Sequence, residues 1–540
     1  MKQPFREALE GELKQLIKAK WSLDLDISLE RPRQAALGDL STNAALVVAT
    51  QTKQPVKELA AELVTEISKI PWVKTSIPKI EAHARGFVNF FISDELLTQE
   101  VALIKAQDNY GASNIGQGQK VNVEFLSANP TGPMTLPNGR GGFMGDTLAN
   151  VLSWLGYEVA REYYINDAGN QIVTLGKSIA AANGLIPDQP DFYQGGYVKD
   201  LAWQLKAETA KAAKKEAWQE LGNQAAKIIL EQEIKPAVGK FMKINFDVWF
   251  SETKSLHSSG KVSKALSLLE DKKLAYQSDG AWWLKTSAYG DDEDRVLVKS
   301  DGSYSYFLVD IAYHLDKLER GFVKLINFWG ADHHGHVKRM LAALTALGYP
   351  EALKIIVMQL VTLVKDGQEV RMSKRAGNFV IINDLINEVG LDVARFFFLL
   401  QGSDSHINFD LGLAKDKSDK NPVYYVQYAH ARMASILNKI ETDKIKVSAA
   451  KHDYSEAARQ LALALSDFPD LLRIIGRTYE LQKLPNYLID LARSFHHFYD
   501  NDRIISAEQA DSLNLDLLLA TKKVLASGLG LLGVSAPDKM

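Results

Sequence analysis

Four short stretches of this chain carry residue types at spacings that could do chemistry. In EFLSANPTGPMTLPNGRGGFMGDTL (124–148) an apolar β-rich run ends and two prolines and a glycine hold an extended turn. Glycines 139, 141 and 142 then start a helix, with Arg140 adding a cation nearby. Free N–H groups at a helix start, aided by the helix dipole, suit a phosphate. Alone the stretch is as readily an ordinary Gly/Pro strand-to-helix connection, and it lacks the GxxxxGK[ST] of a P-loop. In VKDGQEVRMSKRAGN (364–378), Asp366-Gly367 reads as a hairpin turn, followed by Arg371, Lys374 and Arg375 around a serine. Three cations on one loop could clamp a polyphosphate as it approaches its transition state, or could simply be a solvated basic turn. GADHHGH (330–336) offers Asp332, His333, His334 and His336, but in an order that matches no metal signature. A polar strand end lining a nucleotide pocket suits the stretch better. In SYFLVDIAYH (305–314), Tyr306 and Asp310 stand four residues apart and share one face of a helix. A carboxylate buried there must pair with a cation or be held by the structure.

The elements that would position these groups follow from periodicity. VNVEFL (121–126), YEVAREYYI (157–165), KLINFW (324–329) and KIIVMQLVTLV (354–364) read as strands. Helices from about Gly141 to Leu155 and from about His336 to Leu347 alternate with them. That alternation predicts an α/β domain with a doubly wound parallel sheet, whose ligand lies beyond the carboxyl ends of the strands. A long stretch, roughly 175–295, is helical at first and reads as an insertion. The first hundred residues predict a small α+β unit: a helix over 5–20, a second from Pro55 to Ser68, and a strand Val88–Ser93. YGASNIGQGQ (110–119) reads as a linker, and from about 405 onward every strong period is helical.

Composition bounds the rest. The 540 residues suffice for three or four domains, and the 46% hydrophobic and 24% charged shares are ordinary for a globular protein. With no cysteine there is no disulfide, thiolate nucleophile or thiolate zinc site. The opening MKQPFREALEGELKQLIKAKW is charged every few residues, unlike a signal peptide or a membrane span, and the expected location is the cytoplasm. The 63 Lys+Arg against 66 Asp+Glu give no global basic signature. A nucleic-acid partner would need local basic faces, such as the Lys and Arg around 415–432 could form.

A glycine-rich turn after the first strand and a basic Met-Ser-Lys loop after the last, on one parallel sheet, resemble the two signatures of class I aminoacyl-tRNA synthetases. SANPTGP, REYYINDAGNQI (161–172), FDVWFSE (246–252), DRVLVKSDGSYSYFLVDIAYH (294–314), WGADHHGH (329–336), RMSKRAGN (371–378) and NPVYYVQYAHAR (421–432) sharpen the likeness to arginyl-tRNA synthetases. GDLSTNAAL (38–46), RGFVNFFIS (85–93), LARSFHHFYDNDRI (491–504) and the ending Ala536 to Met540 extend it over nearly the whole chain. The resemblance implies a domain contacting the tRNA elbow (1–110), a catalytic nucleotide-binding domain (118–400) with its insertion, and an α-helical anticodon-binding domain (405–540). It implies ATP-dependent activation of L-arginine to arginyl-adenylate and transfer to the 3′ end of tRNA(Arg). Mg²⁺ would be carried in with ATP rather than held in a dedicated protein site. It also implies a monomer, and bound tRNA as a condition for forming the adenylate.

Carried over residue by residue, the arginine pocket falls on Glu124, Asn129, Tyr306 and Asp310. Asp310 would face the guanidinium, with Glu124 and Asn129 at the α-ammonium and α-carboxylate. Ser127, Gly139, Gly330, Asp332 and His333 would lie along ATP, and Lys374 would steady the leaving pyrophosphate beside Arg371 and Arg375. Tyr163, Asn166, Asp167 and Gln171 would lie near the pocket without an assigned role. One departure stands out. The family's His-x-Gly-His is Thr135, Leu136, Pro137 and Asn138 here, so both histidines are gone. Thr135 and Asn138 can donate hydrogen bonds but cannot be cationic. Either they substitute, with Arg140 and the helix start sharing the load, or arginine is activated poorly. Retention of Glu124, Asn129, Asp310 and Lys374 favours an active enzyme over a silent tRNA-binding relative.

Overall fold

The computed structural model describes residues 3–365, 367–370, 380–448, 453–506 and 509–540. Its centre is a five-stranded parallel sheet of β1 (Lys120–Glu124), β2 (Glu158–Ile165), β3 (Val248–Ser251), β4 (Lys324–Gly330) and β5 (Leu353–Met358). The strand order is β5-β4-β1-β2-β3, the doubly wound arrangement whose switch point lies between β1 and β4. Helices α1 (Leu136–Trp154), α2 (Asn170–Ala182), α3 (Tyr306–Glu319) and α4 (His334–Leu347) join or cover the strands. Register sets Asn327, Glu124 and Glu162 side by side across β4, β1 and β2. In a pleated sheet such neighbours project from one face.

Several sequence expectations are corrected. The helix after β1 starts at Leu136, with Thr135 as N-cap and Pro137 in the first turn, so the glycines fall inside it. Their role is close packing: a Cβ on Gly145 would sit 2.0 Å from Phe125, and one on Gly139 2.4 Å from Ile382. The run 354–364 is two strands, because the chain leaves the main sheet after Met358. Val361–Lys365 enters a small sheet with Gln368–Val370 and Ile407–Asp410. Buried Arg140 bridges that break, donating to the carbonyls of Gln359 (2.7 Å), Gly402 (2.6 Å) and Ser405 (2.8 Å). Its fork is consumed by the fold, so it is not the spare phosphate cation the sequence suggested. The stretch 175–295 is not one insertion, since Val248–Ser251 within it is the edge strand β3. A helical excursion precedes that strand. A helix and the antiparallel sheet of Ala275–Ser278, Ala281–Leu284 and Arg295–Val298 follow it. Pro55 caps the helix Val56–Ile67 from outside rather than opening it.

The C-terminal region packs helices α5 (Pro422–Thr442), α6 (Glu456–Ser466), α7 (Phe468–Thr478), α8 (Lys483–Asn501) and α9 (Ser512–Leu532). A small sheet of 446–448, 505–506 and 509–511 joins them, so the region is not purely helical. Buried Arg395 ties it to α1, donating to Asp146 (2.8 Å) and to the carbonyls of Met242 and Leu532. Of the basic residues in 415–432, Lys415 pairs with Glu388 and Arg432 donates to the Tyr499 hydroxyl. No described helix is long and apolar enough to cross a membrane.

The N-terminal unit is a three-stranded antiparallel sheet (Leu40–Thr42, Lys79–Ala82, Val88–Phe91) under helices led by Phe5–Trp21. It docks on α6 and α7 through Arg6 with Asp467 and Asp470, Glu10 with Arg473, and Asp39 with Arg459. Tyr110, placed by the sequence in a linker, is buried there against Phe468. At this junction the Glu100 carboxyl accepts from Phe5 N–H (3.0 Å) and the Tyr110 hydroxyl (2.6 Å), and burial pushes its pKa up to about 7. A buried acid whose folded pKa is raised binds its proton more tightly when folded. Its contribution is complete below the unfolded pKa near 4.5 and is lost as pH rises to about 7. Thermal denaturation should therefore show E100Q matching the wild type near pH 5 and exceeding it at pH 8, by on the order of 2–3 kcal/mol. Equal stability at both pH values would remove this proton from the account.

Candidate active site

The carboxyl ends of the five strands converge on a polar network organised by α3. Asp310, His314 and Lys317 repeat at helical spacing along one stripe, and Tyr313 and Arg320 along an adjacent one. Lys317 is 0% exposed and donates to Glu124 Oε2 at 2.7 Å and to Asn327 Oδ1 at 3.2 Å. Asn327 Nδ2 donates to His314 Nε2 (2.9 Å), and His314 Nδ1 donates to the Asp310 carbonyl (2.7 Å). That pattern requires a neutral imidazole, and burial, aided by Lys317, lowers the His314 pKa to about 4. One chain of hydrogen bonds thus joins Glu124 on β1 to the backbone of Asp310 on α3. Glu162, next to Glu124 in the sheet, accepts both arms of Arg320 (2.6 and 3.0 Å), the Tyr313 hydroxyl and Asn122. Burial opposes its ionisation, but Lys317 and Arg320 outweigh it and hold the carboxyl below its ordinary range.

The loop after β1 carries the next group. Leu126 (φ 70°) and Ser127 (φ 36°) adopt the left-handed region, unusual for non-glycine residues and often found at functional sites. Ser127 Oγ accepts from Tyr164 N–H (3.1 Å) and lies 3.4 Å from Glu124 Oε1. Tyr163 is buried, stacked on Trp249, and donates to the Ala128 carbonyl (2.8 Å), which fixes the backbone before half-buried Asn129. Asp167 accepts from Ser251 Oγ (2.6 Å) and Thr253 N–H (2.8 Å), latching the ends of β2 and β3. Tyr163 and Asp167 therefore shape the site from behind. Asn166 is half-buried, and Gln171 is exposed on α2.

Beside this loop opens a pocket of about 510 Å³, lined by Gly169, Glu252, His257, Lys299, Tyr306 and Val309 among others. Tyr306, 62% exposed, begins α3 and rests its hydroxyl near Gly169. Glu252 is buried, accepting from the Tyr164 hydroxyl (2.8 Å) and lying 3.0 Å from His257 Nε2. The Asp310 side chain is 31% exposed, and His336 Nε2 lies 2.6 Å from its Oδ2. Among the described residues, Glu124 and Glu162 are neutralised by Lys317 and Arg320, whereas Asp310 and Glu252 have only histidines as ion-pair partners. Glu252 lines the pocket and Asp310 follows the lining Val309 on α3; with no lysine or arginine partner among the described residues, the two carboxylates suit a cationic ligand.

At the start of α1, Asn138 Oδ1 accepts from Thr135 N–H (2.9 Å) and the Thr135 hydroxyl (3.0 Å). Gly139 N–H is already bonded to the Thr135 carbonyl, so it is a ladder donor rather than a free one. Thr135 also bridges to Ile381, and Met134 O accepts from Ile382 N–H. The chain following the basic loop therefore returns beside the glycine-rich turn. Arg371, Lys374 and Arg375 themselves lie outside the described residues. At the end of β4, Gly330 is half-buried. The Asp332 and His333 side chains are 81% and 59% exposed, while His336 turns inward to Asp310. Sequence reading missed Lys317, His314, Asn327 and Glu252. The polar stripe of α3 was the available signal for the first two. Nothing local distinguishes Asn327 or Glu252 before the sheet is assembled.

Replacing Lys317 with Met should leave Glu124 buried and unpaired, costing about 3–5 kcal/mol in urea denaturation, and adding E124Q should recover much of that loss. If K317M is as stable as the wild type, the ion pair is not what holds the sheet end.

Comparison with known proteins agrees with this geometry. Three family models match: "Arginyl tRNA synthetase N terminal domain" over 3–92, "tRNA synthetases class I (R), catalytic domain" over 100–397, and "DALR anticodon binding domain" over 426–540. The chain is 42% identical over 532 residues to the arginine–tRNA ligase of Geobacillus kaustophilus, covering 95% of this chain and 94% of that one. It is 41% identical to that of Bacillus subtilis, covering 100% and 99%. The arginyl-tRNA synthetase structure from Thermus thermophilus superposes with a TM-score of 0.78 at 22% identity, covering 99% of this chain and all of that one, and so shares the fold. With the class I catalytic model, the parallel sheet and near full-length identity in agreement, the chain belongs to the arginyl-tRNA synthetase family.

Proposed function

We propose that this arginine–tRNA ligase recognises L-arginine through Asp310 and Glu252, which among the described residues have only histidines as ion-pair partners. The guanidinium meets Asp310 and Glu252, with Tyr306 closing over it. A planar fork of N–H donors matches a carboxylate in two places at once, which the point charge of lysine does not. Glu124, through Oε1, and Asn129 take the α-ammonium and α-carboxylate ends. Lys317 offsets most of the Glu124 charge, leaving a polar anchor rather than a second strong anion site.

The arginine carboxylate attacks the α-phosphate of ATP, forming a C–O–P mixed anhydride and releasing pyrophosphate. A ribose hydroxyl at the 3′ end of tRNA(Arg) then attacks the carbonyl and expels AMP. Neither step needs a protein nucleophile; positioning and charge stabilisation suffice. Ser127, Gly139, Gly330, Asp332 and His333 border the nucleotide, with Gly139 contributing close approach rather than a donor. Asn138 donates to the phosphates through Nδ2 in place of the family's histidines, while Thr135, whose N–H and hydroxyl both go to Asn138 Oδ1, orients that amide rather than donating itself. Arg371, Lys374 and Arg375 stabilise the leaving pyrophosphate. Mg²⁺ would arrive with ATP and neutralise charge on its phosphates. The protein acts as a cytoplasmic monomer and forms the adenylate with tRNA bound.

Charging of total tRNA should yield product with arginine alone among the twenty amino acids, and absence of an arginine product would overturn the function. D310N and E252Q should each lower kcat/KM for arginine about 10–100-fold in tRNA-dependent pyrophosphate exchange, the worth of a charge-assisted hydrogen bond. N138A should lower kcat about 10²–10³-fold with the arginine KM little changed, as expected for a transition-state donor. An unchanged kcat would return Asn138 to a purely capping role.

A further inference from the structure

We propose that His336 is a positioning residue for arginine recognition, holding the Asp310 carboxylate in the plane the guanidinium requires. The proposal rests on the assignment of Asp310 to the guanidinium. His336 lies in the first turn of α4, with its side chain 16% exposed. Its ring sits by the Trp329 indole (centroids 5.4 Å, 34° between planes) and meets the Phe307 ring edge-on at 6.0 Å. These contacts limit its rotation and place Nε2 2.6 Å from Asp310 Oδ2. The Asp310 backbone is fixed independently, because its carbonyl accepts from His314. Both the main chain and one carboxylate oxygen are therefore set before substrate arrives.

The chemistry explains why a histidine suits this position. A carboxylate offers about four lone-pair sites, so one bond from Nε2–H leaves the others for the fork of a guanidinium. A carboxylate free to rotate would have to be ordered on binding, which weakens affinity by up to about tenfold per side chain. A lysine or arginine at the same distance would also hold Asp310 but would neutralise it and compete with the substrate. An imidazole held by Trp329 and Phe307 gives Asp310 one hydrogen bond, from Nε2–H to Oδ2. His336 is thus a donor that orients the Asp310 carboxylate, and it acts through Asp310 rather than on the reacting atoms.

The test is steady-state charging of tRNA(Arg) by the full-length enzyme with H336Q, H336N, H336K and D310N, each checked by thermal denaturation and tRNA binding. Glutamine can reach Asp310 with an uncharged N–H, and asparagine is too short to do so. The expected result is that H336N raises the arginine KM about tenfold. Its KM values for ATP and tRNA should stay within about twofold of the wild type, while H336Q recovers most of the loss. H336K should be worse than H336N, because its charge opposes the substrate. Equal arginine KM values for H336Q and H336N, or a parallel rise in all three KM values, would overturn the role of His336. If D310N itself keeps a wild-type arginine KM, the pocket assignment fails instead. If D310N raises the KM and H336N does not, only the His336 proposal falls.

Discussion

The catalytic end of this molecule depends on one buried ion pair, Lys317 of α3 with Glu124 of β1. Both groups leave water, and such a pair holds only when the remaining donors and acceptors are satisfied. Here they are: Lys317 also reaches Asn327, Asn327 reaches His314, and His314 ends on the Asp310 backbone. The pair therefore does more than join helix to sheet. It fixes the height and rotation of α3 over the β1–β4 switch point, and with them the positions of Tyr306 and Asp310. Glu162 and Arg320 repeat the device one strand away. Together the two pairs absorb the charge of Glu124 and Glu162, and on the proposed arginine pocket the charge left for substrate belongs to Asp310 and Glu252. Selectivity for a cation would then follow from which carboxylates the fold neutralises and which it leaves to histidines.

The departure at the glycine-rich turn has a structural counterpart. Thr135 and Asn138 bond to each other across the first turn of α1. The N-cap is therefore closed by the same residues that stand in the place of the family's histidines. The orientation of the Asn138 amide follows from this, because its Oδ1 is needed as acceptor and Nδ2 remains the donor. Arg140 cannot compensate, since its guanidinium is spent on three carbonyls at the break after β5. On the proposed reading the cations come from Arg371, Lys374 and Arg375, and the described chain beyond them returns beside Thr135 at Ile381.

Local pattern and resemblance made much of this architecture legible. The strands β1, β2 and β4, the face shared by Tyr306 and Asp310, and the parallel sheet follow from runs and spacings within twenty residues. What failed was non-local. The apolar run 354–364 gives no sign that the chain changes sheets at Gln359, because the cause is Arg140, more than two hundred residues earlier. Val248–Ser251 is a short edge strand inside a helical region, and only its pairing with β2 reveals it. Lys317 reads as a surface lysine until Glu124 and Asn327 are brought beneath it by register. Glycines 139, 141 and 142 suggest a phosphate turn by sequence, whereas Ile382 against Gly139 and Met242 against Gly142 show close packing.

On the proposed reading, charge on the substrate, matched to Asp310 and Glu252, decides which amino acid is activated. Comparing arginine with citrulline tests this most directly, because citrulline has nearly the same shape and an uncharged urea in place of the guanidinium. In tRNA-dependent pyrophosphate exchange, citrulline should be disfavoured at least 10²-fold in kcat/KM, since it would leave both carboxylates without a cationic substrate partner. Activation of citrulline within a few-fold of arginine would show that substrate charge does not decide the choice.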